Sequence, residues 1–185
     1  LDAQLFQRVK TVYENEREQL EGEDRMLLDK TYEGFERSGA TLNDEDKATF
    51  RNITSELSAC TLKFSQNLLK ETNNFELHIT DEADLQGLPD MHRQAAQHEA
   101  QTRGKDGWVF TLHAPSYGPF MMYAGNRALR EKMYRAYNSR CTHNNELNNF
   151  EVVKRIVNLR RQVAQLLGYN NYADYALRRR MAQNA

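Results

Sequence analysis

Phe50-Arg51-Asn52-Ile53-Thr54-Ser55-Glu56-Leu57-Ser58-Ala59-Cys60-Thr61-Leu62-Lys63-Phe64-Ser65-Gln66-Asn67-Leu68 is the stretch whose pattern decides the fold class. Phe50, Ile53, Leu57, Cys60, Phe64 and Leu68 recur every three or four residues, the spacing that lines one face of an α-helix with apolar side chains. Just upstream, Thr41-Leu42-Asn43-Asp44-Glu45-Asp46 supplies a capping residue and a run of negative charge, which a helix N-terminus favours. The pattern holds to near Lys70, so the helix extends roughly 42 Å at a rise of about 1.5 Å per residue. That length predicts an elongated helical array in preference to a small globule.

On the N-terminal side, Leu5, Val9, Val12 and Leu20 follow a helical period, and Gly22-Glu23-Asp24 marks a break and an acidic restart. Leu27, Leu28, Tyr32 and Phe35 carry a second helix to Ser38-Gly39, where glycine can adopt the left-handed conformation that ends it. On the C-terminal side the period shortens to two. Phe75, Leu77 and Ile79 alternate with Glu76 and His78, and Trp108, Phe110 and Leu112 alternate with Val109, Thr111 and His113. Both read as strands with one buried face, about 75–79 and 108–113, pairing as an antiparallel ribbon. Between them a helix starts near Pro89 and runs to Thr102, followed by the turn Arg103-Gly104-Lys105-Asp106-Gly107. Beyond Pro115-Ser116-Tyr117-Gly118-Pro119, helices are predicted over 126–138, 146–167 and 171–182. The middle one is expected to bury Phe150, Val153, Ile156, Val157, Val163, Leu166 and Leu167. The fold class is therefore mainly α with one short two-stranded ribbon, and no Pro- or Ser-rich linker divides residues 1–185.

The chain has 185 residues and a net charge of -1, with 39% apolar residues. Leu, Ile, Val and Phe number only 38, a lean supply for a core of this size. Near-neutral charge argues against disorder, and a lean core suits a chain whose apolar contacts lie partly on another body. Residues 1–119 hold 13 Lys/Arg against 22 Asp/Glu, whereas 120–185 hold 12 against 4. Such asymmetry draws the two halves toward each other or polarises a shared cavity. Cys60 and Cys141 lie far apart without a Cys-x-x-Cys spacing, which suggests neither a disulfide framework nor a zinc knuckle. No apolar run reaches membrane-spanning length. A cytoplasmic setting is expected; because the chain begins at Leu1, an upstream targeting segment stays open.

Candidate chemistry is sparse. His98-Glu99-Ala100-Gln101-Thr102 begins like the H-E-x-x-H zinc motif, but Thr102 stands where the second histidine is required, so a solvated helix face is expected. His78 and His113 fall on the polar side of the expected ribbon, where they could face each other; two ligands without a third do not hold zinc. His92 and His143 have no evident partner, and no nucleophile is paired with a base. Neither a P-loop nor a G-x-G-x-x-G is present. Arg178-Arg179-Arg180 with Arg155, Arg160 and Arg161 is the strongest basic cluster. Spread over several helix faces, it reads as a solvated surface or a wall facing acidic groups or a peptide carboxylate, and not as a nucleic-acid interface. No catalytic, cofactor-binding or metal residue is assigned on these grounds.

Longer stretches add a resemblance. Phe35-Glu36-Arg37-Ser38-Gly39-Ala40-Thr41-Leu42, Phe64-Ser65-Gln66-Asn67-Leu68-Leu69, and Trp108 through Ala114-Pro115-Ser116-Tyr117 are followed by Asn126-Arg127-Ala128-Leu129-Arg130-Glu131-Lys132-Met133-Tyr134-Arg135-Ala136. Then come Leu159-Arg160-Arg161-Gln162-Val163-Ala164-Gln165-Leu166-Leu167-Gly168-Tyr169 and Tyr172-Ala173-Asp174-Tyr175, leading to Met181-Ala182. In this order, over nearly the whole chain, they resemble the thimet oligopeptidase family of zinc metallopeptidases, and within it bacterial peptidyl-dipeptidases (dipeptidyl carboxypeptidases) and oligopeptidase A. The resemblance implies a clam-shaped helical peptidase whose channel admits short peptides, where zinc-activated water attacks the peptide carbonyl with a glutamate as general base. The family's H-E-x-x-H helix lies C-terminal to the stretch ending at Met181-Ala182, so no catalytic or zinc residue carries over to this chain, and His98-Glu99 does not align with it. The expectation is a non-catalytic fragment that forms a channel wall, packs on the catalytic part and dimerises through surfaces left open, with short peptides as the parent's substrates and neither nucleic acid nor membrane as a partner. A free-standing helical interaction module is the alternative.

Overall fold

The computed structural model describes residues 2–182 and 184. Among them are eight α-helices and one two-stranded antiparallel sheet, the mainly helical class expected. The chain divides into two compact units, one of residues 1–60 with 154–185 and one of residues 61–153.

In the first unit, α1 (Ala3–Glu16) starts where Asp2 Oδ1 accepts hydrogen bonds from the Gln4 and Leu5 amides at 2.9 and 3.1 Å. A 3₁₀ turn at Arg17–Gln19 separates it from α2 (Gly22–Arg37). Tyr13 and Tyr32 stack across the two helices with centroids 3.9 Å apart, and Arg17 Nε donates to Asp29 Oδ1 at 2.6 Å. Helix α3 (Asp44–Asn74) is capped reciprocally by Asn43, which accepts from the Asp46 amide and donates to the Asp46 carboxylate, both at 2.8 Å. Ile53 of α3 packs with Leu159 and Val163 of α7 (Phe150–Leu166), bordered by Phe50, Leu57 and Cys60. Asn171 opens the short α8 (Tyr172–Leu177). The chain then tightens, with Arg180 N donating to Leu177 O at 2.7 Å, so the helix expected over 171–182 ends five residues early.

The stripe that α7 buries differs from the expected one. Val152, Ile156, Leu159 and Val163 are buried, whereas Phe150, Val153 and Val157 are 56%, 42% and 58% exposed. Its start is also later than residue 146, because the amides of Leu147 and Asn149 are already taken by Asn145 Oδ1 and Cys141 O.

The second unit is built on β1 (Leu77–Ile79) and β2 (Trp108–Phe110), paired as Leu77 to Phe110, His78 to Val109 and Ile79 to Trp108. Both are shorter than 75–79 and 108–113. Beyond Phe110 the Thr111 amide donates to Ser116 Oγ at 2.9 Å and the chain turns into a helix, ending the ladder. Nor does β2 alternate: Val109, Phe110, Thr111 and Leu112 are all buried, and α4 (Asp90–Thr102) packs against the strand. The core joins Leu77, Ile79, Phe110 and Leu112 to Leu85, Phe120 and Met133.

Phe120 belongs to α5 (Ala114–Tyr123), a helix that the sequence reading, with helices resuming only at 126, did not include. Pro115 sits in its first turn, where no amide is required, and the amides of Ser116 and Tyr117 both bond His113 O. Pro119 removes a single internal hydrogen bond, a loss offset by burial of Phe120. Helix α6 (Arg127–Asn138) follows, capped by Asn126, whose amide reaches Asp84 Oδ1 at 2.7 Å. Gly107, at φ +79, closes the turn into β2; a Cβ there would lie 2.4 Å from Ile79 O.

Candidate functional site

The residues weighed from sequence do not converge. On α4, Glu99 accepts from Arg103 Nη2 at 2.6 Å one turn along, so the motif-like glutamate is tied to its own helix, and the backbone oxygen of His98 accepts from Thr102 Oγ1 at 2.9 Å. His78 is paired with Val109 and its Nε2 lies 2.6 Å from Asp106 O. His113 precedes α5, outside the ladder; the expectation that it could face His78 is incorrect because β2 ends at Phe110. His92 stacks on Tyr123, and His143 lies 3.3 Å from Glu71 Oε1. Among the described residues, no three of His, Cys, Asp and Glu come together as a metal site would require.

The arginines are drawn to acidic and aromatic partners. Arg179 Nε donates to Glu33 Oε2 at 2.9 Å, Arg178 Nε lies 3.5 Å from Glu33 Oε1, and Arg155 pairs with Glu56 through two bonds of 2.5 and 2.6 Å. That bond holds the Glu56 carboxyl below the usual range. Arg37 lies over Tyr175 at 3.8 Å and Arg160 over Tyr172 at 5.3 Å. Arg178 and Arg179 thus face Glu33 of α2, and Arg155 faces Glu56 of α3, in exposed pairs.

The most ordered polar arrangement is one that spacing did not reveal: the loop between α6 and α7 fastened to the second half of α3. Asn67 Nδ2 donates to Asn149 Oδ1 at 2.9 Å, and Asn149 Nδ2 to Phe64 O at 3.1 Å, with both asparagines buried. Arg140 Nη1 donates to Thr72 Oγ1 at 2.9 Å, and its guanidinium lies 3.7 Å over Tyr137, itself stacked on Tyr117 at 4.1 Å. Glu71 Oε2 accepts from the Cys141 amide at 2.5 Å, and Cys141 takes a left-handed φ of 58°. Burial, and then the hydrogen bond with Glu71, pushes the Cys141 thiol up to about 11. It stays protonated near neutral pH and is no nucleophile. The cluster is a fastening, and its only sequence signal is the asparagine-rich run from His143 to Asn149.

A cleft of about 250 Å³ in the second unit is lined by His92 and Glu99 of α4, Val109 and Thr111 near β2, and His113 and Ser116. Ser116 Oγ is occupied by the Thr111 amide and Glu99 by Arg103, so neither is set against an imidazole as a nucleophile or orienting group would be. Among the described residues, no helix is long and apolar enough to cross a membrane.

Comparison with known proteins supplies what this geometry lacks. Residues 120–185, which include α6, α7 and α8, match the model for peptidase family M3. The chain is 40% identical over 164 residues to oligopeptidase A of Haemophilus influenzae, covering 86% of this chain and 24% of that protein. It is 43% identical over 152 residues to a probable cytosolic oligopeptidase A of Arabidopsis thaliana, covering 78% and 22%. Over 185 residues it is 30% identical to dipeptidyl carboxypeptidase of Escherichia coli, covering 99% and 27%. The chain therefore spans about a quarter of the length of these relatives. The resemblance read from the sequence is borne out by these matches: residues 120–185 match peptidase family M3, and the chain is similar to oligopeptidase A and dipeptidyl carboxypeptidase.

Proposed function

We propose that these residues are a non-catalytic part of a longer zinc metallopeptidase that cleaves short peptides, and that they form one wall of its substrate channel and pack against its catalytic part. The observation that carries the reading is the alignment of almost the whole chain with peptidases about four times its length. The described residues do not fit a zinc ion, since no three ligands gather, and the hydrolytic chemistry belongs to the remainder of the parent. What this chain would supply is positioning. The α2 to α8 region contributes arginines held by Glu33 and tyrosines, and the Asn67 and Asn149 pair fixes the start of α7.

Release of C-terminal dipeptides is the activity assigned to the parent, after the dipeptidyl carboxypeptidase that aligns over 99% of the chain. The second reading is internal cleavage by an oligopeptidase, favoured by the higher identity to oligopeptidase A, 40% against 30%. The cytoplasm is the proposed setting. Reading the coding sequence downstream of Ala185 tests the reading: it should continue to an H-E-x-x-H, and a stop codon close by would leave a free-standing interaction module. Mass spectrometry of products from a peptide and its C-terminally amidated form separates the two activities, because dipeptide release recognises the free carboxylate and internal cleavage does not.

A further inference from the structure

Thr111 is 6% exposed, yet its hydroxyl makes no hydrogen bond to any described residue, while its amide donates to Ser116 Oγ at 2.9 Å. Among the described residues no sealed-in side-chain oxygen or nitrogen lacks a partner, so this hydroxyl opens onto the cleft of about 250 Å³ that Thr111 lines. A buried hydroxyl left without a partner costs stability, which marks a place where something else supplies the bond. The cleft lies wholly within the second unit, and its other polar groups point to the same kind of occupant. Ser116 Oγ receives the Thr111 amide, which leaves the Ser116 proton free to be donated. His113 stands at the head of α5, whose first turn holds no acidic residue and whose N-cap makes no side-chain hydrogen bond. A helix N-terminus of this kind carries a partial positive charge that attracts anions. His92 is held by stacking on Tyr123, the rings 6.2 Å apart. The one carboxylate in the lining, Glu99, takes two bonds from Arg103, at 2.8 and 2.6 Å, so its charge is already balanced.

Donors in want of an acceptor call for a ligand that brings acceptors. The lining also includes Ala95, Ala96, Val109 and Phe110, an apolar surface that a bare inorganic ion would leave uncovered. We infer that the cleft binds a small organic anion, an apolar group bearing a carboxylate. The hydroxyls of Thr111 and Ser116 and the imidazole of His113 donate to the carboxylate at the head of α5, and the alanines with Val109 and Phe110 receive the apolar part. A free acid and the C-terminal residue of a peptide share this chemistry. The inference stands apart from the proposed function, since every residue it uses belongs to this chain and none takes part in hydrolysis.

Nuclear magnetic resonance titration of the 185-residue chain with isovalerate, isovaleramide, N-acetyl-leucine and inorganic phosphate tests it. Isovalerate should shift the Thr111 and His113 signals saturably, and isovaleramide, which lacks the charged acceptor, should bind at least about tenfold more weakly. Thr111→Val removes a hydroxyl that has no protein partner, so it should weaken isovalerate by about tenfold without lowering the melting temperature. His113→Ala, at an exposed position, should also weaken isovalerate and keeps the test open should Thr111→Val fail to fold. His98→Ala, on α4 but outside the cleft, should leave the affinity unchanged. N-acetyl-leucine binding more tightly than isovalerate assigns the cleft to peptide C-termini and the reverse order assigns it to free acids; either supports the site. Equal affinities for acid and amide, phosphate binding where isovalerate is inert, no saturable shifts, or isovalerate affinity unchanged in folded Thr111→Val or His113→Ala each overturns it.

Discussion

Leu159→Ala and Val157→Ala, two residues apart on α7, should differ by the full cost of a core cavity. Leu159 is 0% exposed and packs with Ile53 and Val163 inside a border of Phe50, Leu57, Leu166 and Leu167. Truncation removes three carbons, about 2.4 kcal/mol of transfer free energy at roughly 0.8 kcal/mol each. A cavity contribution is added, and the half-buried border residues can relax into part of it, placing the total near 3 kcal/mol within the usual range of about 2–5. Val157, at 58% exposed, leaves no cavity, and alanine's better helix propensity offsets the lost contact, so its cost stays within about 0.5 kcal/mol of zero. Urea unfolding followed by far-ultraviolet circular dichroism reads the difference. With a slope near 2 kcal/mol/M, the Leu159→Ala midpoint falls by about 1.5 M, and that of Val157→Ala stays in place. Costs within about 1 kcal/mol of each other would refute the assignment of the two rows.

Three further outcomes follow from the same structure. Asn149→Ala strands the buried Asn67 amide and should cost about 1–3 kcal/mol; in a double-mutant cycle Asn67→Ala should then cost less than it does alone, and strict additivity would contradict the pairing. Gly107→Ala places a Cβ 2.4 Å from Ile79 O at a φ of +79°, so thermal unfolding should show a loss of at least about 1–3 kcal/mol, and a neutral outcome would contradict this close approach. The Glu76 carboxyl is held below its usual range by the hydrogen bond from Lys105 and then by that from Arg103. Its stabilising contribution is therefore complete above the unfolded value of about 4.3 and is lost as pH falls through the lower folded value. The stability advantage over Glu76→Gln should be flat near neutral pH and shrink in acid; an advantage that grows in acid would reverse the sign of the argument.

Helix positions were legible wherever one apolar face met water, as in α3, whose row of Phe50, Ile53, Leu57 and Cys60 lies in or beside the packed cluster. The α7 row was misplaced because that helix is apolar over more than half its circumference, and periodicity cannot say which part a neighbour covers. Helix α5 was hidden by Pro115, Gly118 and Pro119, residues that signal a turn in isolation; the deciding term is burial of Phe120 against Phe110, their rings 4.6 Å apart, which is invisible locally. The absence of alternation in β2 has the same origin, since the strand is packed by an element, α4, that its own pattern does not announce. The polar fastening of the 139–149 loop joins residues more than 65 positions apart, such as Thr72 and Arg140, and no spacing rule reaches that far. The pairing of Arg178 and Arg179 follows from charge alone, since each finds a carboxylate, here Glu33.

The most direct test of the account is a side-by-side assay of peptide hydrolysis by the 185-residue chain and by the full-length parent, each with added zinc and then with a chelator. The account predicts chelator-sensitive cleavage of short peptides by the parent and none by the 185-residue chain. Cleavage at enzymatic rates by the 185 residues alone, or a full-length protein inert toward peptides, would contradict it.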